Sequence, residues 1–477
     1  MVSLVLVAML TRPVKKMPMI KKGSAMYRKI SAHVILVFSI LLWCPFVAVA
    51  EDSLEEIRAL VNAQERQLNE LKSRLAQLES AAAGSVAEPV AVGVNSPDSN
   101  PASAAMAWAG ASPQFSKPES ESRFRFRGKF QTELMTTSSD VETTDYGRAS
   151  EIRRVRLGAQ GAFSPSLDYV AELDFSGDKI GYEDIFIRYR MSDHTAIRLG
   201  HHEASVSLDD ETSDSNHSFL ERSLHNSLSL GRSVGLGFET QGERWSLNAG
   251  LFGQSQLDTE VGESEGWKAA ARLMWTPLHS SNHTWHLGAA SYYVSLGEED
   301  YRVSARPESH QLAALFDTGE HAANDVKYVG LEAAFQHHSL LFQAEFGEQT
   351  VDYTQLDESR FVTGYAQAAW LISGEQRNYE RSHGKFGGVV PATSWGEGGQ
   401  GAVELALRSS YMDLVSGDIS GGKGATLSVG LNWYPKSFLR LSANWVHFDI
   451  DNSLEVLPQG YAAHKGDAFA IRSQVTW

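Results

Sequence analysis

From Arg123 to the C terminus, side chains alternate between two faces with a period of two, and the alternation keeps returning. In the first run Phe124, Phe126, Gly128, Phe130, Thr132 and Leu134 share one face. Arg123, Arg125, Arg127, Lys129, Gln131 and Glu133 share the other. Such alternation marks a strand with one apolar and one polar side. It recurs near 151–163, 167–176, 183–190, 195–201, 232–240, 245–253, 267–276, 284–295, 326–336, 339–347, 361–373, 401–413, 424–434, 438–449 and 467–477. A soluble sandwich alternates too, but its apolar faces close on a core. With 123–135 there are sixteen segments, an even number, each about ten residues long, as a tilted membrane strand requires. The pattern predicts an all-β chain: a sixteen-stranded antiparallel transmembrane β-barrel over 122–477, in the outer membrane of a Gram-negative bacterium.

The connections agree. Most alternate between long and short: 136–150, then Ser164-Pro165-Ser166; 202–231, then Gln241–Arg244; 296–325, then His337-His338. Long loops on one side and short turns on the other are the outer-membrane pattern, and the count puts both barrel ends on the periplasmic side. The last segment closes on an aromatic, with Phe469, Ile471, Ser473, Val475 and Trp477 on one face. Trp267, Trp275, Trp285, Trp370, Trp433 and Trp445 fall near segment ends or on apolar faces, as an interfacial girdle would.

Ahead of the barrel the chain reads differently. Residues 1–50 carry Lys and Arg but no Asp or Glu, then an apolar run from Val34 to Ala50 ending in Ala48-Val49-Ala50. That is the form of a secretory signal peptide, for which Met26 is a better start than Met1. The single cysteine, Cys44, lies inside it, so the exported chain is expected to need neither disulfides nor thiol chemistry. In 51–80, Leu54, Ile57, Val61, Gln64, Leu68, Leu71, Leu75 and Leu78 step three and four apart, the seam of a periplasmic coiled-coil helix. Residues 81–121 have no period and read as a flexible linker. The net charge of −16, which becomes more negative without the basic leader, argues against a nucleic-acid partner. The partners expected are lipid, small solutes and further copies of the chain.

Inward parity assigns Arg123, Arg125, Arg127, Lys129, Arg154, Arg156, Arg188, Arg190, Arg198, Lys268 and Arg272 to the lumen. Fixed lumenal cations admit anions because they offset the loss of the anion's hydration, and arginine suits phosphate through its two-pronged donor geometry. Glu133, Glu172 and Asp174 share that lumen, as in any polar pore. Gly231-Arg232-Ser233-Val234-Gly235 has the spacing of a nucleophile elbow, but alternation continues through Leu236 and Phe238 where a helix is needed. Gly417 to Lys423 nearly matches a phosphate-binding loop, yet Gly424 stands where Ser or Thr should bind magnesium. His201-His202-Glu203 offers adjacent histidines, which on a strand point to opposite faces and suit a single metal poorly. No catalytic cluster, metal or cofactor is expected.

Five strings resemble the phosphate-selective porin O/P family and span roughly 120–477. They are Arg153-Arg154-Val155-Arg156-Leu157-Gly158, Phe219-Leu220-Glu221-Arg222-Ser223-Leu224, the run from Gly364-Tyr365 to Asn378-Tyr379, Glu404-Leu405-Ala406-Leu407-Arg408-Ser409-Ser410, and Gly430-Leu431-Asn432-Trp433-Tyr434-Pro435. The resemblance implies a trimer of sixteen-stranded barrels, with infolded loops and a ladder of lumenal arginines that passes phosphate or polyphosphate. Arg154 and Arg156 match the basic motif of the second strand. Arg153 has the opposite parity and is expected at a strand end or bulge. The third long loop departs from the family's basic character, with Asp209, Asp210, Glu211, Asp214 and Glu221 against Arg222. The connection 374–400 is far longer than a periplasmic turn needs. By the same resemblance it is expected to fold into the barrel mouth. Arg222, Arg377, Arg381 and Lys385 are therefore candidates on infolded loops.

These features point to a porin for small anions, phosphate or polyphosphate. Two other readings stand beside it. One is a non-selective or structural porin tethering the envelope through its coiled coil. The other is an outer-membrane hydrolase, for which no Ser/His/acid cluster is legible.

Overall fold

The computed structural model describes residues 105–109, 111–117, 121–139, 147–253, 266–297, 299–457 and 460–477. The expected leader (1–50) and coiled-coil helix (51–80) lie outside them. Sixteen strands form the wall: β1 (Ser122–Ser139), β2 (Arg148–Ser164), β3 (Leu167–Asp174), β4 (Gly181–Ser192), β5 (Thr195–Glu203), β6 (Arg232–Gln241), β7 (Trp245–Gly253), β8 (Trp267–His279), β9 (His283–Ser295), β10 (His321–His337), β11 (Leu340–Tyr353), β12 (Ser359–Leu371), β13 (Ala402–Ser416), β14 (Ile419–Lys436), β15 (Leu439–Leu457) and β16 (Gly460–Thr476). Neighbours pair antiparallel, and β16 pairs with β1 from Thr476↔Lys129 to Gly466↔Ser139. The sheet thus closes on itself. Closure pairs the wall strands on both sides, which a lipid environment demands because it offers no water to unpaired backbone.

Alternation then sorts the side chains. Leu134, Leu157, Leu199, Leu273, Leu331, Leu407 and Ile471 are exposed on the outside with Trp267, Trp275, Trp370 and Trp445, while Gln131, Arg272, Glu404 and Arg472 are buried inside. At the seam, Gly128 and Trp477 exchange two backbone hydrogen bonds of 3.0 Å. The indole covers Gly128 so closely that a β-carbon there would lie 2.6 Å from the ring, so only glycine fits.

Every expected strand is present, but several run further. β13 to β16 hold 15, 18, 19 and 17 residues. Ser416 and Ile419 pair across Gly417-Asp418, where a longer loop was expected. Past the apolar belt both faces of a strand meet water, so pairing continues after the alternation that announced it has faded. The opposite arc is low, with 8 residues in β3 and 9 in each of β5 and β7.

Part of the expected linker is also ordered as strand. Ala105–Ala109 and Ser112–Lys117 form a hairpin whose second arm pairs with β1, Lys117↔Ser122 to Gln114↔Arg125. Pairing with β16 begins only at Lys129, so the first residues of β1 present an open edge on that side, and the hairpin covers it. Short polar residues around Pro113 gave no period from which to foresee this.

Candidate functional site in the barrel lumen

Among the described residues, three connections enter the lumen. Residues 204–231, between β5 and β6, carry a helical turn, α1 (Leu208–Glu211), capped by the Ser207 hydroxyl, which accepts from the Asp210 N–H at 2.9 Å, and a short 3-10 helix, Leu224–Leu228. Residues 299–320 bring Leu312, Leu315 and Phe316 into an apolar cluster with Leu220, Leu224, Leu228, Tyr292 and Tyr328. From the short-turn side, 372–401 inserts a small hairpin, Tyr379–Glu380 against Lys385–Phe386. Tyr379 and Phe386 pack on Leu208 of the first loop with Ala334 and Leu341 of the wall.

The filling is lopsided. On β8 to β16 the inward side chains lie under the loops: Arg272, Glu404, Arg408 and Arg440 are almost wholly buried. Along β4 and β5 they are not, and the side chains of Arg188, Arg190 and Arg198 remain 28%, 38% and 18% exposed. Two small cavities, of about 30 and 40 Å³, lie on this arc and share Glu239. One is lined by Arg198, His202, Glu203, Glu211 and His383, the other by Arg188, Arg190 and His194.

Most of the expected basic residues are held in ion pairs. Arg127 Nε donates to Glu172 at 2.9 Å, Lys129 bonds Asp214, and Arg154 Nε lies 2.8 Å from Asp214. Arg156 engages Asp174 at 2.9 Å and Glu183 at 2.6 Å. Arg188 and Arg198 share Glu239, and Arg190 lies 2.6 Å from Asp168. Arg272 is bound by Glu332 and donates to the carbonyls of His383 and Gly384. Lys268 donates to the Ser233 hydroxyl at 3.0 Å. Arg123 is exposed at the start of β1, and Arg125 is half-buried with its Nε unpartnered. An open ladder of positive charge is therefore not what the lumen presents. Acidic residues of the same parity, and of the infolded loop, lie within reach, and a cation in a narrow lumen takes the nearest carboxylate.

Arg153 is the extra residue of a bulge. Ile152 pairs with Thr132 and Arg154 with Gln131, so Arg153 turns inward and makes a two-pronged pair with Glu221 at 2.9 Å. Further lumenal cations went unassigned: Arg232, Arg408, Arg440 and Arg472. For the last three, the outward parity of Leu407, Leu441 and Ile471 was the available signal.

Of the infolded-loop candidates, Arg222 ties its own loop together, donating to the carbonyls of Asp209, Asp210 and Thr212. Arg377 is buried against Glu404 at 2.7 Å and donates to the Asn216 carbonyl at 2.6 Å, so it joins wall, first loop and periplasmic segment. Lys385 reaches Glu211 of α1 at 3.4 Å. Arg381 stays exposed at the rim, donating to the Glu243 carbonyl. Burial pushes the Glu211 carboxyl up, but Lys385 and His383 more than offset it and hold it down to about 2. Burial lowers His383 to about 4, so at neutral pH the charged partner of Glu211 is Lys385. Asp214 stays well below the usual carboxylate range despite burial, because Lys129, Arg154 and Arg156 surround it.

The Gly231–Gly235 string leads into strand β6, and of Gly417–Lys423 only Gly417-Asp418 form a turn, the rest opening β14. His201 and His202 bond backbone carbonyls through Nδ1, and among the described residues no group of three potential ligands is placed for a metal.

Residues 124–477 match the family described as phosphate-selective porin O and P. An uncharacterized protein of Caulobacter vibrioides is 28% identical over 436 residues, covering 84% of this chain and 87% of its own length. Porin O of Pseudomonas aeruginosa is 22% identical over 233 residues, 43% of this chain and 51% of that one. Among solved structures, a loop L8 deletion mutant of OmpT, an outer membrane protein of Vibrio cholerae, superposes with a TM-score of 0.50 at 10% identity, over 75% of this chain and 99% of that one. The match over the whole closed wall shows that this chain belongs to the phosphate-selective porin O and P family of outer-membrane porins.

Proposed function

We propose that this porin carries small anions, phosphate among them, and that lumenal Arg and Lys select them. The observation that carries the reading is the arc of β4 and β5, where Arg188, Arg190 and Arg198 stay partly exposed beside two small cavities. A solute moving there passes guanidinium groups already steered by Glu239 and Asp168, so binding is weak and repeated, as conduction requires. The family described for this sequence supports phosphate as the first solute to test. The test is the reversal potential of single channels in a salt gradient. Replacing Arg188 and Arg198 with Glu should move a wild-type anion preference toward cations, by roughly twofold or more in permeability ratio. An unchanged value removes these residues from the conducting path.

The same ion pairs favour a second reading, a non-selective or cation-leaning porin. Asp168 and Glu239 neutralise the arginines of this arc, and Glu183 and Asp184 of β4 pair with Arg156 and Arg232. A wild-type reversal potential near zero, or on the cation side, decides for it.

We also propose a homotrimer in which the 51–80 segments associate as a parallel bundle in the periplasm. The a/d seam of that segment supports the bundle.

A further inference from the structure

Three cations on two adjacent strands converge on one carboxylate of the infolded loop. In register, Lys129 of β1 stands opposite Arg156 of β2 and Gln131 opposite Arg154, which sets the three cations side by side. Asp214 reaches them from 204–231. Lys129 bonds its Oδ1, while Arg154 Nε at 2.8 Å and Arg156 Nη2 at 3.5 Å approach its Oδ2. Lys129, Arg154 and Asp214 are each more than nine-tenths buried. Arg156 has Asp174 and Glu183 besides, and Arg154 has Glu221 at 4.0 Å. For Lys129 the carboxylate in ion-pair reach is Asp214.

The loop has other holds on its place. Arg440 and Gln474 donate to the Ser215 carbonyl, Arg377 to that of Asn216, and Asn432 to that of Ser218. The Asp214 side chain is thus one hold among several, seated among convergent donors as a bound ligand would be.

We propose that Lys129, Arg154 and Arg156 form an oxyanion site in the lumen, which Asp214 fills as a tethered occupant that excludes phosphate. Carboxylate and phosphate oxygens make the same charge-assisted bonds to Arg and Lys. An occupant on a short tether acts at an effective concentration of about millimolar or more, so dilute free phosphate loses the competition. The site stands on this geometry, and the choice of phosphate as its ligand rests on the anion-channel reading.

The full-length porin in planar bilayers gives the test. Chloride current is titrated with inorganic phosphate in wild type, Asp214→Ala and Lys129→Gln/Asp214→Ala. The half-blocking phosphate concentration should fall at least tenfold in Asp214→Ala and return to the wild-type value in the double variant. Equal half-blocking concentrations in wild type and Asp214→Ala overturn the site, as does a gain that survives Lys129→Gln. Should Asp214→Ala fail to assemble, Asp214→Asn keeps the volume without the charge and is read the same way. An anion-preferring wild type with no gain in Asp214→Ala leaves the channel reading standing and removes the site. A cation-preferring wild type with the gain does the reverse.

Discussion

At the scale of single residues, the lumen is built from buried charges that satisfy one another. Glu404 accepts from Arg377, Asn432 and Tyr434, and all four side chains are buried. Removing one partner leaves the others desolvated and unpaired, which costs roughly 3–5 kcal/mol. Glu404→Ala should therefore lower the temperature at which the folded barrel loses its characteristic gel mobility. Arg377→Ala/Glu404→Ala should cost less than the two single changes summed, because the second removes the charge the first left stranded. Parity in the sequence was enough to turn Arg127, Lys129 and Arg156 inward. It could not supply their partners. Asp214 and Glu221 lie on a loop without a period, and Glu183 sits where the β3–β4 register shifts between Ala171 and Leu173. The same parity rule, carried through to β13, β15 and β16, would have found Arg408, Arg440 and Arg472.

At the scale of elements, two infolded segments meet inside the wall. Lys385 on Glu211 and Arg377 on the Asn216 carbonyl join them, with Phe386 against Leu208. Shortening 378–396 to a Gly-Asn turn should raise single-channel conductance and weaken any anion preference. Unchanged conductance would make the segment irrelevant to the path. Acid offers a second measure. Because the folded Glu211 carboxyl is held at about 2, against an ordinary value of 4.5, the stability that its pairing with Lys385 adds is full above 4.5 and is lost as pH falls toward 2. The thermal stability of the folded barrel should show no contribution lost at this pair from pH 7 to 4.5 and a decline between 4.5 and 2, and Glu211→Gln should reduce that decline. The existence of the long 374–400 segment was plain from its length. Its docking on α1 was not, because contact between two aperiodic stretches leaves no local pattern. The strand centres were legible for the opposite reason, since lipid imposes apolar residues at every second position. The strand ends beyond the lipid carried no such mark.

At the scale of the whole molecule, the proposed bundle of 51–80 gives a direct experiment. Deleting 51–82 should leave the barrel folded but weaken its oligomer, seen as monomer in gentle detergent. A 52–80 peptide that stays monomeric and unfolded at high concentration would dismiss the bundle. The unequal wall has a separate consequence, for the surrounding bilayer. The 8 residues of β3 reach about 26 Å along the strand, and less along the membrane normal once tilted, whereas the 19 of β15 reach about 63 Å. The apolar band of such barrels is about 25 Å tall, so lipid beside β3 must thin to match a wall that falls short of it. That deformation costs a fraction of a kcal/mol for each ångström of mismatch and vanishes wherever protein, instead of lipid, lies against the low side. In the proposed trimer, copies set low side to low side would therefore be held together by the bilayer's elasticity as well as by their contacts.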